Sequence, residues 1–182
     1  MKTKIKRLTT DLILLLVLIV ADMATKKWAV LTLKDKSSIP IIKNVLEFYY
    51  LPNGNTGAAF GMLSGHRVLF LVIAAVVVAV IGYALFNMPE AGKFKYIEFL
   101  LVFIAAGGVG NMIDRFIQGY VVDFIYISCI NFPIFNVADM YVSICTVLLA
   151  VKLLFGISEE DYRVLENALS SPLKRLFGMN NK

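Results

Sequence analysis

Four long apolar segments dominate the pattern of hydrophobic and polar positions along the chain. They run over roughly Leu8–Val30, Val68–Phe86, Tyr96–Ile113 and Val137–Ile157. The second holds nineteen residues without a charge, which at ~1.5 Å per residue is enough to cross a hydrocarbon core of ~30 Å. The pattern therefore predicts a bundle of four membrane-spanning helices.

The composition changes this picture little. The chain of 182 residues is 59% hydrophobic and 17% charged, whereas soluble domains contain roughly 45–50% apolar residues. Its net charge of +5 does not indicate nucleic-acid binding, because the basic residues flank the apolar segments instead of forming one face. We expect no nucleic-acid partner.

The basic residues favour an orientation with both termini in the cytoplasm, since Lys and Arg concentrate in the short cytoplasmic flanks of membrane proteins. They occur at the start of the chain, in the connection 87–95 and after the fourth span, which all lie on one side of a four-span bundle. The basic start also suits a cleaved signal peptide, but Asp22 and Met23 stand where a cleavage site needs small residues. We expect a retained helix.

The opposite side carries the predicted extracytoplasmic β element, within about 31–67 and 116–136. Residues 44–51 are rich in aromatic and branched side chains, as in a strand, and residues 52–54 favour a turn. Residues 119–128 form a second extended stretch. The fold class is thus a mainly α membrane protein, a four-helix bundle over 1–157 with a small extracytoplasmic β-sheet. The cytoplasmic tail, 158–182, predicts a short amphipathic helix that ends at Pro172.

Polar residues at membrane depth fall almost entirely at the outer ends of the predicted spans. Intramembrane ionisable groups are costly, and by default they mark a functional site. Spacing supports shared helix faces, with pairs at i, i+3 and i, i+4. The residues that this places at one level are Asp22, Lys26, Asn111, Asp114, Arg115, Asp123, Asn136 and Asp139.

Carboxylate chemistry is the best match to this cluster. The single histidine, His66, would have to support any Ser–His or Cys–His pair, and no zinc-type Cys/His spacing occurs. Two aspartates that share one proton can activate water as base and acid. Asp22 precedes Lys26 by four residues and Asp114 adjoins a basic residue, so both are predicted to be neutralised. Asp123 and Asp139 are the best remaining pair.

Other interpretations stay open on the residues alone. The two remaining aspartates could bind Mg²⁺ or Ca²⁺, and the other polar groups could be structural ion pairs and helix caps. A small transporter would use the same cluster as a pathway, although the second and fourth spans have almost no polar residues in their inner halves. A non-catalytic membrane chaperone would need no paired aspartates.

Five segments together resemble bacterial lipoprotein signal peptidase (signal peptidase II), a family of integral-membrane aspartic proteases. The resemblance covers roughly Leu12 to Leu154. Each segment alone is a weak signal, but all five occur in order with four apolar spans between them. The segments are Asp22–Lys26, Asn55–Phe60, Gly107–Arg115, Val121–Ile125 and Phe135–Asp139.

The resemblance implies an endopeptidase of the bacterial cytoplasmic (inner) membrane, with its active site near the outer face. It would remove the signal peptide from lipidated prolipoproteins, before a diacylglyceryl-modified cysteine. It implies Asp123 and Asp139 as the catalytic dyad, no metal or organic cofactor, contact with membrane lipid, inhibition by globomycin-type peptides, and a monomer. The residues that would bind substrate or shape the site are Asn55, Gly57, Asn111, Asp114, Arg115, Asn136, Asp22 and Lys26.

Three positions depart from the family pattern. Met23 stands where glutamine is common, Gly54 stands where a basic residue is common, and Cys145 stands where glycine is frequent. None of the three is a member of the implied dyad. The Gly54 departure puts one charge contact near the substrate in question.

Overall fold

Four helices of the computed structural model, which describes residues 2–57, 66–90 and 92–176, are long and apolar enough to cross a membrane. They are α1 (Lys2–Leu33), α2 (Arg67–Asn87), α3 (Lys95–Gln118) and α4 (Val137–Phe155). The predicted number of spans is therefore confirmed. Two boundaries differ from the prediction by more than three residues. Helix α1 begins six residues before the predicted Leu8, because its lysines are good helix formers, and α3 continues beyond Ile113 to Gln118.

Helix α3 is the centre of the bundle and packs against α1, α2 and α4. Its glycines permit the close approach. A Cβ atom on Gly107 would lie 2.4 Å from the carbonyl oxygen of Ala138 in α4, and one on Gly110 would lie 2.5 Å from Oδ2 of Asp22 in α1. Real Cβ atoms do not come this near to other heavy atoms, so a side chain at either position would force its neighbour to shift.

The charged residue near the start of the third span, Glu98, is buried and paired. Its carboxylate lies 3.3 Å from the guanidinium of Arg7. Arg7 also donates hydrogen bonds to the carbonyl oxygens of Leu85 and Met88, at the end of α2. One arginine therefore joins the start of α1 to the connection between α2 and α3.

A three-stranded antiparallel sheet, β1 (Ile39–Ile42), β2 (Leu46–Phe48) and β3 (Ile125–Ile127), lies in the loops on the other side of the bundle. The predicted sheet is confirmed, with two corrections: the two strands are shorter than predicted, and β1 was not predicted. Beyond Phe48 the chain stays extended, but its bonds go to irregular backbone, as where the Leu51 N–H donates to the Asp123 carbonyl. Those residues therefore lie outside the regular ladder.

The tail forms α5 (Glu159–Leu176). The prediction that it ends at Pro172 is wrong, because the helix continues for four further residues. Proline removes one helical hydrogen bond, and tertiary contacts hold the helix in place around it. Leu165 is buried against the α2–α3 connection, and the Tyr83 hydroxyl donates to the Leu169 carbonyl. Residues 177–182 of the predicted tail lie outside the described part.

Candidate active site

Asp139 owes its position to the first turn of α4. Asn136 is the N-cap residue, and its side-chain oxygen accepts a hydrogen bond from the Asp139 N–H at 3.0 Å. In return, Oδ2 of Asp139 accepts the Asn136 N–H at 3.1 Å. This reciprocal capping box satisfies two of the free N–H groups at the helix start and fixes the orientation of the Asp139 carboxyl group.

Asp123 lies on the extended segment that precedes β3. The segment is held by two backbone hydrogen bonds between Asn55 and Val121 and by the bond from Leu51 to the Asp123 carbonyl. The side chain of Asp123 is 1% exposed. The chain thus presents a buried carboxyl group from a loop whose backbone is fixed on both sides.

Two asparagines connect Asp123 with Asp139. Nδ2 of Asn136 donates to Oδ1 of Asp123 at 2.7 Å and to Oδ1 of Asn111 at 3.1 Å. Nδ2 of Asn111 in turn donates to Oδ1 of Asp139 at 2.8 Å. The two aspartates predicted as a pair therefore belong to one hydrogen-bonded network, contributed by α3, the loop before α4 and α4 itself.

Asn55 supplies a second donor to Asp123, since its Nδ2 lies 2.8 Å from Oδ2 of that carboxyl group. Its own side-chain oxygen accepts the Gly57 N–H at 2.9 Å. The Gly57 carbonyl accepts a bond from Nη2 of Arg115 at 2.8 Å. Asn55 and Gly57 entered the site by resemblance alone, although an Asn two residues before a Gly in a turn is a sequence signal for this local bond. Residues 58–60 of the same motif lie outside the described part.

Lys26 neutralises two carboxylates beside the network. Its Nζ lies 2.7 Å from Oδ2 of Asp22 and 3.1 Å from Oδ2 of Asp114, and it donates to Oδ1 of Asn111 at 2.9 Å. The predicted Asp22–Lys26 pair is confirmed. The expected pairing of Asp114 with its neighbour Arg115 is wrong, because the two side chains diverge around the helix and Asp114 faces α1.

Burial raises the pKa of Asp123 from its usual 3.8 to about 7, and the negative charge of nearby Asp139 acts in the same direction. Hydrogen bonds from Asn55 and Asn136 and the charge of Lys26 oppose this shift. Near neutral pH, a pKa of about 7 keeps both protonation states of Asp123 populated. The site can therefore present one protonated and one ionised carboxyl group together, which is the requirement for acid–base activation of water.

The departure at Gly54 has a structural explanation. Gly54 has a φ of +69°, and a Cβ atom there would lie 1.9 Å from a ring carbon of Tyr120. No side chain fits beside that ring, and the left-handed backbone also favours glycine. Tyr120 thus fills the space next to Asn55 that a basic side chain would otherwise need.

Within residues 2–57, 66–90 and 92–176, no group of three or more His, Cys, Asp or Glu side chains is placed to hold a metal ion. Both oxygens of Asp123 and both of Asp139 already accept hydrogen bonds. Cys129 and Cys145 are both free thiols, and Cys145 packs in the apolar core.

Comparisons with known proteins show the family to which the chain belongs. A family model described as signal peptidase (SPase) II matches residues 14–155. A lipoprotein signal peptidase from Clostridium novyi (strain NT) is 38% identical over 139 residues, which is 75% of this chain and 91% of the relative. A lipoprotein signal peptidase from Streptococcus pyogenes serotype M5 (strain Manfredo) is 37% identical over 151 residues, 81% of this chain and 93% of the relative.

Solved structures show the same fold. A bacterial membrane enzyme determined by the in meso method at 1.9 Å resolution superposes with a TM-score of 0.70 at 30% identity, over 82% of this chain and 95% of that one. A second such structure, at 2.3 Å, has the same TM-score at 28% identity, over 83% and 93% of the two chains. With a family model that matches residues 14–155 and relatives of 37–38% identity, the chain belongs to the signal peptidase II family of membrane proteases.

Proposed function

We propose that this chain removes signal peptides from prolipoproteins, cutting on the N-terminal side of a diacylglyceryl-modified cysteine, with Asp123 and Asp139 as the catalytic dyad. The observation that carries the proposal is the state of the four aspartates. Asp22 and Asp114 share one lysine, whereas Asp123 and Asp139 receive hydrogen bonds from asparagines and have no ion pair among the described residues. Only the second pair is available for acid–base work.

The two carboxyl groups have different surroundings, which supports a different role for each. Asp139 lies in the first turn of α4, where the helix N-terminus favours a negative charge, so it acts as the base. Asp123 is buried with a pKa of about 7, so it holds the shared proton. Asp139 takes one proton from water while the water oxygen attacks the scissile carbonyl carbon. Asp123 gives its proton to the carbonyl oxygen.

Collapse of the resulting diol completes the cycle. The carbon–nitrogen bond breaks, the leaving amine takes the proton held by Asp139, and one diol hydroxyl returns its proton to Asp123. The products are a carboxylic acid on the signal peptide and a free amine on the lipidated cysteine. No covalent enzyme intermediate forms, and the dyad ends in its starting protonation state.

The remaining site residues position the substrate. Arg115 fixes the Gly57 carbonyl, and its guanidinium lies over the ring of Phe70 at 4.7 Å. Asn111 borders the dyad, and Gly57 follows Asn55, so both can meet an extended peptide backbone. The diacylglyceryl chains would lie along apolar helix surfaces and gain ~0.8 kcal/mol for each buried CH₂, which holds the scissile bond at the depth of the dyad. Globomycin-type peptides would inhibit by occupying this same groove.

The proposed location is the bacterial inner membrane, with both termini cytoplasmic. The basic residues near the ends of the chain support it, and the sheet and the dyad then lie on the outer side. The enzyme is proposed to act as a monomer without a cofactor. Single cysteines labelled in intact cells test the orientation: a probe replacing Ile41 in β1 should react from outside, and one replacing Asn167 in α5 should not.

The decisive experiment compares two prolipoprotein substrates that differ only in the diacylglyceryl group. Purified wild-type enzyme should release the signal peptide from the lipidated substrate alone. Asp123→Asn and Asp139→Asn should each reduce turnover by roughly 10⁴-fold or more, and the double variant should be little worse, because members of one catalytic unit are not additive. Asp161→Asn, a matched change in α5, should keep wild-type turnover.

Two results would contradict the proposal. Equal cleavage of both substrates would exclude lipid-dependent recognition. Substantial turnover by Asp123→Asn, in a preparation whose unfolding temperature matches that of the wild type, would exclude the dyad.

A further inference from the structure

A cavity of about 790 Å³ lies between α5 and the membrane-spanning helices, at the opposite end of the bundle from the dyad. On the bundle side its wall is formed by residues of α2, most of them small or apolar, and by Leu153 of α4. On the other side it is formed by the apolar face of α5. The residues used in the argument below are Val80, Tyr83, Ala84, Tyr162, Leu165 and Leu169.

Helix α5 is fixed along one edge of this cavity at three levels. Asp161 pairs with Lys93, Leu165 is buried against the α2–α3 connection, and the Leu169 carbonyl accepts a hydrogen bond from Tyr83 at 2.7 Å. These residues are spaced at i, i+4 and i+8, so they form one stripe along the helix. The cavity beside this stripe therefore lies between the bundle and a helix that is docked on it.

The depth of the cavity identifies its occupant. Val80 lies about 10 Å from the end of α2 at ~1.5 Å per residue, inside the apolar span. A cavity at that depth opens onto lipid chains. Its volume is in the range of ligand pockets, ~300–1,000 Å³. Water forms few hydrogen bonds with mostly apolar walls. A hydrocarbon chain that fills the cavity gains ~0.8 kcal/mol of binding free energy for each buried CH₂.

We propose that this cavity binds one acyl chain of a membrane phospholipid, from the leaflet on the α5 side. Glu166 and Ser170 are the polar residues of the lining, and no basic residue of the described part contributes to it. The site therefore takes the acyl chain without selecting an anionic headgroup. It does not depend on the proposed catalytic mechanism, and it includes α5, which lies beyond the residues 14–155 matched by the family model.

The test uses the full chain in lipid nanodiscs that contain a phosphatidylcholine with a diazirine on one acyl chain. After illumination, labelled positions are mapped by mass spectrometry. Labelling should concentrate on Val80–Ala84 and Tyr162–Leu169, above the level at the lipid-exposed Val147 of α4. Ala84→Trp fills the cavity and should reduce its labelling to that background. Val72→Trp, a matched change on the exposed face of α2 outside the lining, should leave it unchanged.

A second variant, Val80→Trp, tests the same loss if Ala84→Trp fails to fold. A phosphatidylglycerol carrying the same diazirine should label the cavity equally, since no headgroup charge is recognised. The proposal is overturned by labelling that is uniform over all exposed apolar faces, by labelling that survives in the tryptophan variants, or by crosslinks between two copies of the chain through this face.

Discussion

Replacement of Asn136 by alanine tests the hydrogen-bonded network more sharply than replacement of either aspartate. Asn136 is fully buried. Its side chain caps α4 through the Asp139 N–H and donates to Asp123 at 2.7 Å and to Asn111 at 3.1 Å. The alanine variant loses all three bonds and keeps the backbone bonds of residue 136, which donates to Asp139 and accepts from the Met140 N–H.

The expected magnitudes follow from those bonds. Loss of an N-cap costs about 0.5–2 kcal/mol, and loss of a donor to a charged, buried group costs about 1.5–3 kcal/mol. The free energy of unfolding should therefore fall by about 2–5 kcal/mol. The Asn136 bond is also one of the influences that lower the pKa of Asp123. Its removal should raise that pKa further above about 7.

Two measurements check this. Thermal unfolding in detergent should show the loss of stability, and cleavage of a lipidated prolipoprotein across a pH series should show a slower reaction whose alkaline decline lies at higher pH. Ser158→Ala is the matched control, since the Ser158 hydroxyl accepts the Asp161 N–H at 3.1 Å and caps α5 far from the dyad. It should lose a similar cap and keep the wild-type pH profile. An Asn136→Ala enzyme with an unshifted alkaline decline would refute the assignment of the proton to Asp123.

Three further predictions concern neighbouring parts of the site. Wild-type cleavage should decline as the pH rises through about 7, because Asp123 loses its proton there. The folded chain also binds this proton more tightly than the unfolded chain, so the free energy of unfolding should fall from about pH 4 to about pH 7. A cleavage rate and a free energy of unfolding that both stay constant over this range would contradict the raised pKa. Gly110→Ala should lower the free energy of unfolding by about 1–3 kcal/mol, because its Cβ overpacks against Asp22. Gly108→Ala is the control: its Cβ would lie 3.5 Å from its nearest neighbour, so it should be tolerated in the same unfolding assay. Lys26→Met should lower the free energy of unfolding by about 3–5 kcal/mol, since it leaves two buried carboxylates without their cation. A decrease below about 1 kcal/mol in denaturant titration would show that these carboxylates are not ionised.

The helices were largely predictable because the membrane imposes a simple requirement on sequence. The uncharged run Val68–Phe86 became α2 with one residue added at each end. The start of α1 was predicted too late, because Lys4 and Lys6 interrupt the apolar pattern without interrupting the helix. Hydropathy measures where hydrocarbon ends, and helical hydrogen bonding continues past that point.

The depth of the site in the membrane and the residues that form it were predictable from the sequence. The pairing of their side chains was less so. Span directions place Asp22, Asn111 and Asp139 at one level, but they do not show which side chains meet. Asp114 and Arg115 point about 100° apart around α3, so adjacency in sequence separates them in space. Asp114 consequently reaches Lys26, and Arg115 reaches the loop at Gly57.

The sheet shows why local strand character is a poor guide to length. Residues 44–51 are rich in strand-like side chains, but only Leu46–Phe48 pair in a regular ladder. The partner segment, which carries Asp123, is not part of the regular ladder before β3 begins. β1 contains Pro40, which argues against a strand in sequence but is tolerated at a sheet edge.

The buried Lys26 ammonium determines the direction of hydrogen bonding through the network. An ammonium group can only donate, so Asn111 must turn its oxygen toward Lys26 and its NH₂ group toward Asp139. The same oxygen accepts from Asn136, whose NH₂ group then also faces Asp123. A cation in α1 thereby orients two amides so that both dyad carboxyl groups receive donors only. In the proposed mechanism, the shared proton is left to the remaining lone pairs, and an amide in place of Lys26 would let the chain of bonds reverse.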